Sequence, residues 1–138
     1  MTAPVAPHAG QPVLRRGAAL AAARAAVIMI HGRGAAPENI MDLVPAIGHR
    51  DVAYLAPAAA GGTWYPLSFM APLDQNEPGI TSGISVIHAL IEEVTGAGIP
   101  AERIVLLGFS QGACLAGTAA QRRPDRGAAA VRRRRGQL

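Results

Sequence analysis

Residues 104–116 read IVLLGFSQGACLA. An apolar run, Ile104 to Leu107, ends at the pentapeptide Gly-Phe-Ser-Gln-Gly, and small residues follow. A short continuous apolar run closed by a turn has the form of a strand buried on both faces, as in a parallel sheet. Gln111–Arg123 is rich in Ala and Gly and is stopped by Pro124, which suits a helix. Strand, then G-x-S-x-G, then helix is the setting in which this pentapeptide carries chemistry. The turn is tight enough to strain its central residue. Side chains on its flanks would collide with the neighbouring strand and helix, so both flanks, Gly108 and Gly112, are glycine. Ser110 is lifted clear of the sheet beside a helix N-terminus, whose free N–H groups favour developing negative charge. Ser110 is the candidate nucleophile; the plainer alternative is a serine that caps a helix.

A second apolar run, VIMI (27–30), ends in HGRG (31–34). In folds built around such an elbow, an oxyanion hole takes one N–H from the residue after the nucleophile and one from a loop after an earlier strand. Gln111 and Arg33 are the candidates, both through the main chain. Gly32 and Gly34 allow close approach. His31 reads as a residue that fixes its loop by hydrogen bonding, not as a base. His49 reads as a surface residue and His88 as a helix residue.

The rest of the chain fits around these two strands. Residues 1–17 read as an irregular arm with a short edge strand at Pro12–Leu14, and Ala18–Ala26 has helical propensity by composition. Ile40, Leu43, Val44 and Ile47 recur at helical spacing, with Pro45 expected to bend or shorten that helix. Val52–Ala56 is a further strand. Residues 57–79 hold four Pro and three Gly, together with three of the five aromatics, Trp64, Tyr65 and Phe69. Long loops in compact domains are functional or disordered, and the aromatics point to an ordered loop over a pocket. Ile80–Val94 is the clearest amphipathic helix, with Ile80, Ile84, Ile87, Ile91 and Val94 on one stripe. Strands separated by helices imply parallel pairing with right-handed crossovers. The fold class is α/β.

Composition narrows the function. The chain has 138 residues, half of them apolar, enough for one packed domain. No run is long enough to span a membrane. All 13 cations are Arg, and four of them, Arg132 to Arg135, lie in the last seven residues. Without residues 127–138, 9 Arg face 9 acids. The basicity belongs to the tail, so nucleic acid is not an expected partner. The single cysteine, Cys114, excludes an intramolecular disulfide and fits a reducing compartment. RRGAALAAARAAVIMI (15–30) has two Arg and an Ala-rich run like a leader segment, but Arg24 interrupts it and it runs straight into HGRG. The expected location is the cytoplasm.

VIMIHGRGAAPENI (27–40), LAPAAAGGTWYP (55–66) and IVLLGFSQGACLA (104–116) together resemble the phospholipase/carboxylesterase family of α/β-hydrolases, relatives of the acyl-protein thioesterases. The resemblance runs from about Val27 to Asp125. It implies an α/β-hydrolase fold, a mostly parallel sheet with flanking helices, and a serine carboxylesterase or thioesterase that needs no cofactor or metal. It also implies a small-molecule ester substrate, Ser110 as nucleophile, and the Arg33 and Gln111 N–H groups as oxyanion hole. Trp64 and Tyr65 match a loop near the acyl site; the alternative is an aromatic pinning that loop to the core.

The triad order in this fold is Ser, then Asp or Glu, then His. After Ser110 there is one acid, Asp125, too close to the elbow helix to be assigned, and no His. The final segment, RGAAAVRRRRGQL (126–138), matches nothing in the family, where another apolar strand is expected. The expected organisation is an N-terminal arm (1–26), a partial hydrolase domain (27–126) truncated after the elbow helix, and an aberrant Arg-rich tail (127–138). A frameshift near Arg126 is one hypothesis; an intact downstream frame encoding no later strands would sink it. Such a chain would leave IVLL with an unpaired edge prone to self-association. It would also be close to inert, since loss of the base costs about 10⁶-fold in turnover. Two other readings are a non-catalytic binding protein with a basic tail, and a site completed by His and Asp from another chain.

Overall fold

The computed structural model describes residues 3–122 and 129–133. Its core is a five-stranded sheet made of β1 (Val13–Gly17), β2 (Ala25–Ile30), β3 (Val52–Pro57), β4 (Ile104–Phe109) and β5 (Ala129–Arg133), in the order β1-β3-β2-β4-β5. β2 pairs in parallel with β3 and β4, and β5 in parallel with β4. β1 is the one antiparallel strand, with Val13 opposite Pro57 and Gly17 opposite Ala53. The α/β class and the mostly parallel sheet are as the sequence implies.

Side chains alternate across the sheet, and both faces are covered. Ile28, Ile30, Leu55 and Leu106 pack on one face against α3 (Gly79–Gly96) and α4 (Gln111–Gln121). α3 delivers its expected stripe, Ile80, Ile84, Ile87, Ile91 and Val94, all buried. Met29, Tyr54 and Leu107 point to the other face, beneath Ile40 and Met41 of α1 (Pro37–Met41). Full burial of each such side chain contributes roughly 1.5–3 kcal/mol. The helix expected around Pro45 is two short pieces, α1 and α2 (Val44–Ile47). Pro45 sits in the first turn of α2, where its missing N–H costs nothing, and Gly48 ends α2 at a φ of 70°.

Three expectations differ. Ala18–Ala26 is not helical: Ala18 N–H donates to Val52 O and Arg24 N–H to Asp51 O, and β2 starts at Ala25. Those two bonds tie both ends of the segment to the start of β3, which outweighs the propensity of alanine. The arm drawn over residues 1–26 is therefore part of the domain, since it supplies β1 and the start of β2. Finally, the sheet does not stop at β4. Val105–Phe109 pairs with Ala129–Arg133, so β4 is an interior strand and the edge expected to lie bare there is covered. Main-chain pairing asks only for an extended backbone, and this Arg-containing segment supplies one.

Candidate active site

The elbow forms as its sequence requires. Ser110 is the one non-glycine residue among those described with positive φ, at φ 56° and ψ −116°. This conformation costs of order 1–3 kcal/mol and persists only where the surroundings impose it. The flanking glycines show what imposes it. A Cβ on Gly108 would reach the main chain of Gly112 and Ala113, and one on Gly112 would reach the carbonyls of Ile30 and His31. The elbow is wedged against the end of β2.

Ser110 opens on a cavity of about 600 Å³ lined by Gly32, Arg33, Tyr65, Phe69, Gln111 and Cys114, among others. A smaller space of about 290 Å³ adjoins it, sharing Tyr65, Phe69 and Cys114 and continuing along Leu73, Ile80 and Leu115. No turn or loop bond among the described residues takes up the main-chain N–H of Arg33 or of Gln111. Among the described residues, no His, Asp or Glu lines either space.

The loop over the cavity is held from four sides. Gln111 Oε1 accepts from Trp64 N–H at 2.8 Å and its Nε2 donates to Tyr65 O at 2.8 Å. The Arg33 guanidinium donates to Pro66 O and Leu67 O, both at 2.8 Å. Asn76 is fully buried; its Oδ1 accepts from Leu67 N–H and its Nδ2 donates to Ser68 O. Trp64 is 0% exposed, donates its indole N–H to His31 O at 2.9 Å, and does not line either space. Of the two aromatics expected at the substrate, Tyr65 forms a wall and Trp64 pins the loop to the core. Burial, and after it the neighbouring Cys114 thiol, pushes the Tyr65 phenol well above its ordinary range.

None of the histidines lines the cavity at Ser110. His31 is buried, with Nδ1–H donating to Gly32 O at 2.7 Å and Nε2 accepting from Ala59 N–H at 3.1 Å. Both ring nitrogens are used, so His31 fixes its loop, and burial holds it below its ordinary value of 6.5 despite the Gly32 bond. His49 is exposed. His88 bonds Ala119 O, joining α3 to α4. Asp125 lies outside the described residues.

His8 was not foreseen. It is 2% exposed; Nε2–H donates to Trp64 O at 2.7 Å and Nδ1 accepts from Ala60 N–H at 3.0 Å. A lone histidine in a proline-rich arm has no spacing to announce it, and nor does Asn76.

Comparison with known proteins follows the same lines. The phospholipase/carboxylesterase family model matches residues 18–131, beyond the Val27–Asp125 span of the motifs and into the segment that seemed foreign to the family. An acyl-protein thioesterase 1 homolog 2 of Dictyostelium discoideum is 33% identical over 107 residues, covering 66% of this chain and 48% of its own. A phospholipase/carboxylesterase from Dyadobacter fermentans is 40% identical with a TM-score of 0.74, covering 77% of this chain and 51% of its own. Esterase PE8 is 25% identical with a TM-score of 0.64, over 83% and 58%. The chain thus spans about half the length of these relatives. Among the described residues, no helix is long and apolar enough to cross a membrane.

Proposed function

The chain belongs to the phospholipase/carboxylesterase family of α/β-hydrolases, and from that premise we propose that Ser110 is the nucleophile of a site for carboxylic esters or thioesters. The observation that carries this reading is the strained Ser110 between Gly108 and Gly112, which lines one cavity together with Gly32 and Arg33 of the adjoining HGRG loop. Ser110 Oγ gives up its proton and attacks the ester carbonyl, and the Arg33 and Gln111 main-chain N–H groups receive the oxyanion. Collapse of that intermediate breaks the ester C–O or thioester C–S bond, the alcohol or thiol leaves with the proton, and water then releases the acid from the acyl-enzyme. Tyr65 and Phe69 flank the carbonyl, and the adjoining apolar space beside Leu73, Ile80 and Leu115 takes the acyl portion. No cofactor takes part, and the setting proposed is the cytoplasm.

A proton acceptor for Ser110 is absent from the cavity wall among the described residues. The 138 residues alone are expected to turn over esters negligibly. The test joins residues 1–122 to the part of the Dyadobacter fermentans relative that follows its matching helix. Ester and thioester hydrolysis by this chimera, lost in S110A, is the expected result. A folded chimera with equal turnover in S110A would overturn the assignment of Ser110. A folded chimera that binds ester analogues without any turnover would instead favour a non-catalytic binding protein, the reading that the missing base supports.

A further inference from the structure

Two neighbouring amides, Ala59 N–H and Ala60 N–H, donate to imidazole nitrogens from distant parts of the chain, His31 Nε2 and His8 Nδ1. The segment they start runs directly into Trp64 and the cavity wall Tyr65. His8 also donates to Trp64 O, and the Trp64 ring contacts both imidazoles, with centroids 4.9 Å from His8 and 5.2 Å from His31. We propose that His8 and His31 form a proton-sensitive clasp on residues 59–64, closed while both rings are neutral and loosened when either gains a second proton.

The chemistry is direct. An imidazole nitrogen that accepts a hydrogen bond has no proton; adding one turns the acceptor into a donor facing an N–H. Each ring uses its other nitrogen as a donor already, so neither can rotate to rescue the bond. Both rings are almost completely buried, and a buried cation is unfavourable without a paired anion. The charged and titratable neighbours do not supply one. Glu38 of α1 acts on His31 favourably, but burial and the repulsion of His8 act against it. The His8 ring bonds Trp64 O and Ala60 N–H, and its main-chain N–H donates to Ser82 Oγ of α3; none of these partners is anionic. The Gln111 amide does not titrate, so its bonds to Trp64 and Tyr65 keep the change local.

Burial holds both rings below 6.5, so the closed form binds fewer protons than the open one. The clasp is therefore intact above that pH and weakens as pH falls below it. It acts on the cavity wall whatever chemistry the cavity hosts.

The test follows the full 138-residue chain by heteronuclear NMR from about pH 8 to about pH 5. Readouts are the ring-nitrogen shifts of the four histidines, the intrinsic-rate-corrected exchange of the Ala59 and Ala60 amides, and emission from Trp64, the only tryptophan. His8 and His31 are expected to titrate below the ordinary value of 6.5. Protection at Ala59 and Ala60 should fall in step, by up to about tenfold per pH unit per proton, while far-UV circular dichroism stays constant. H8N, which keeps an acceptor without a titrating ring, should lessen the pH response of Ala60 and leave that of Ala59 to His31. Ala59 and Ala60 protection that persists while both rings titrate would overturn the clasp. So would dichroism lost in the same range, because the event would then be global unfolding. If H8N does not fold, the unmodified chain decides by these same readings.

Discussion

Gly112 lies flat against the main-chain carbonyl of His31: a Cβ at Gly112 would sit 2.5 Å from that oxygen. The elbow and the HGRG loop therefore touch backbone to backbone, with no side chain between them. That contact holds the Gln111 N–H and the HGRG loop in one fixed relation. The substitution G112A should force α4 away from the end of β2. The expected loss is about 1–3 kcal/mol or more, read as a lower urea midpoint. A midpoint within error of the parent would mean that the elbow is looser than its geometry states.

Gln111 should matter through its side chain as well as its main chain. Q111A strips partners from two buried groups, Trp64 N–H and Tyr65 O, and each group left unpaired costs about 1–3 kcal/mol. Q111E should restore only half of the pattern, since a carboxylate can accept from Trp64 but cannot donate to Tyr65. The order of stability expected in chemical denaturation at neutral pH is parent, then Q111E, then Q111A or level with it. Parent-like stability in both variants would remove the side chain from this role.

Alkaline pH should destabilise the fold through Tyr65. Its phenol is held neutral by burial and Cys114, so the folded state keeps a proton that the unfolded state gives up near the ordinary value of 10.0. Stability on this account is complete below that value and declines as pH rises above it. Y65F should lessen the decline. A denaturant midpoint that is flat in the parent across this range would contradict it.

The Arg15–Glu93 pair is bidentate but lies at the surface, with side chains 47% and 44% exposed. Removing it with R15M should cost no more than about 1 kcal/mol, and added salt should shrink that cost. A larger, salt-insensitive loss would show that the Arg15 stem packs onto α3.

What the sequence made readable was what local pattern encodes. Ile104–Leu107 and Val27–Ile30 are apolar without alternation and became interior parallel strands, and the Ile80–Val94 stripe became the long helix. Glycines at 108 and 112 mark the elbow in the sequence itself. Long-range contacts were not legible. Ala18–Ala26 has no helix because two bonds with residues 51 and 52 hold it, and Trp64 turns inward to His31 O. His8 meets the 60s loop across more than fifty positions, and no spacing rule connects such partners. The Arg-containing strand β5 was invisible because its side chains argue against a strand while its backbone pairs like one.

The register of the central strands also bears on how the molecule is made. β2 meets β4 with Ala26 opposite Ile104 and Ile30 opposite Gly108. The two halves of the site are thus far apart in order of synthesis, and closing so long a loop is slow. A chain emerging from the ribosome can pair β1, β2 and β3 early, but Ser110 acquires its strained conformation only after β4 has been released and docked. Until then β2 offers an unsatisfied edge to any other strand within reach. The strained Ser110 takes shape only with that docking, and its conformation is a report that β2 and β4 have paired correctly.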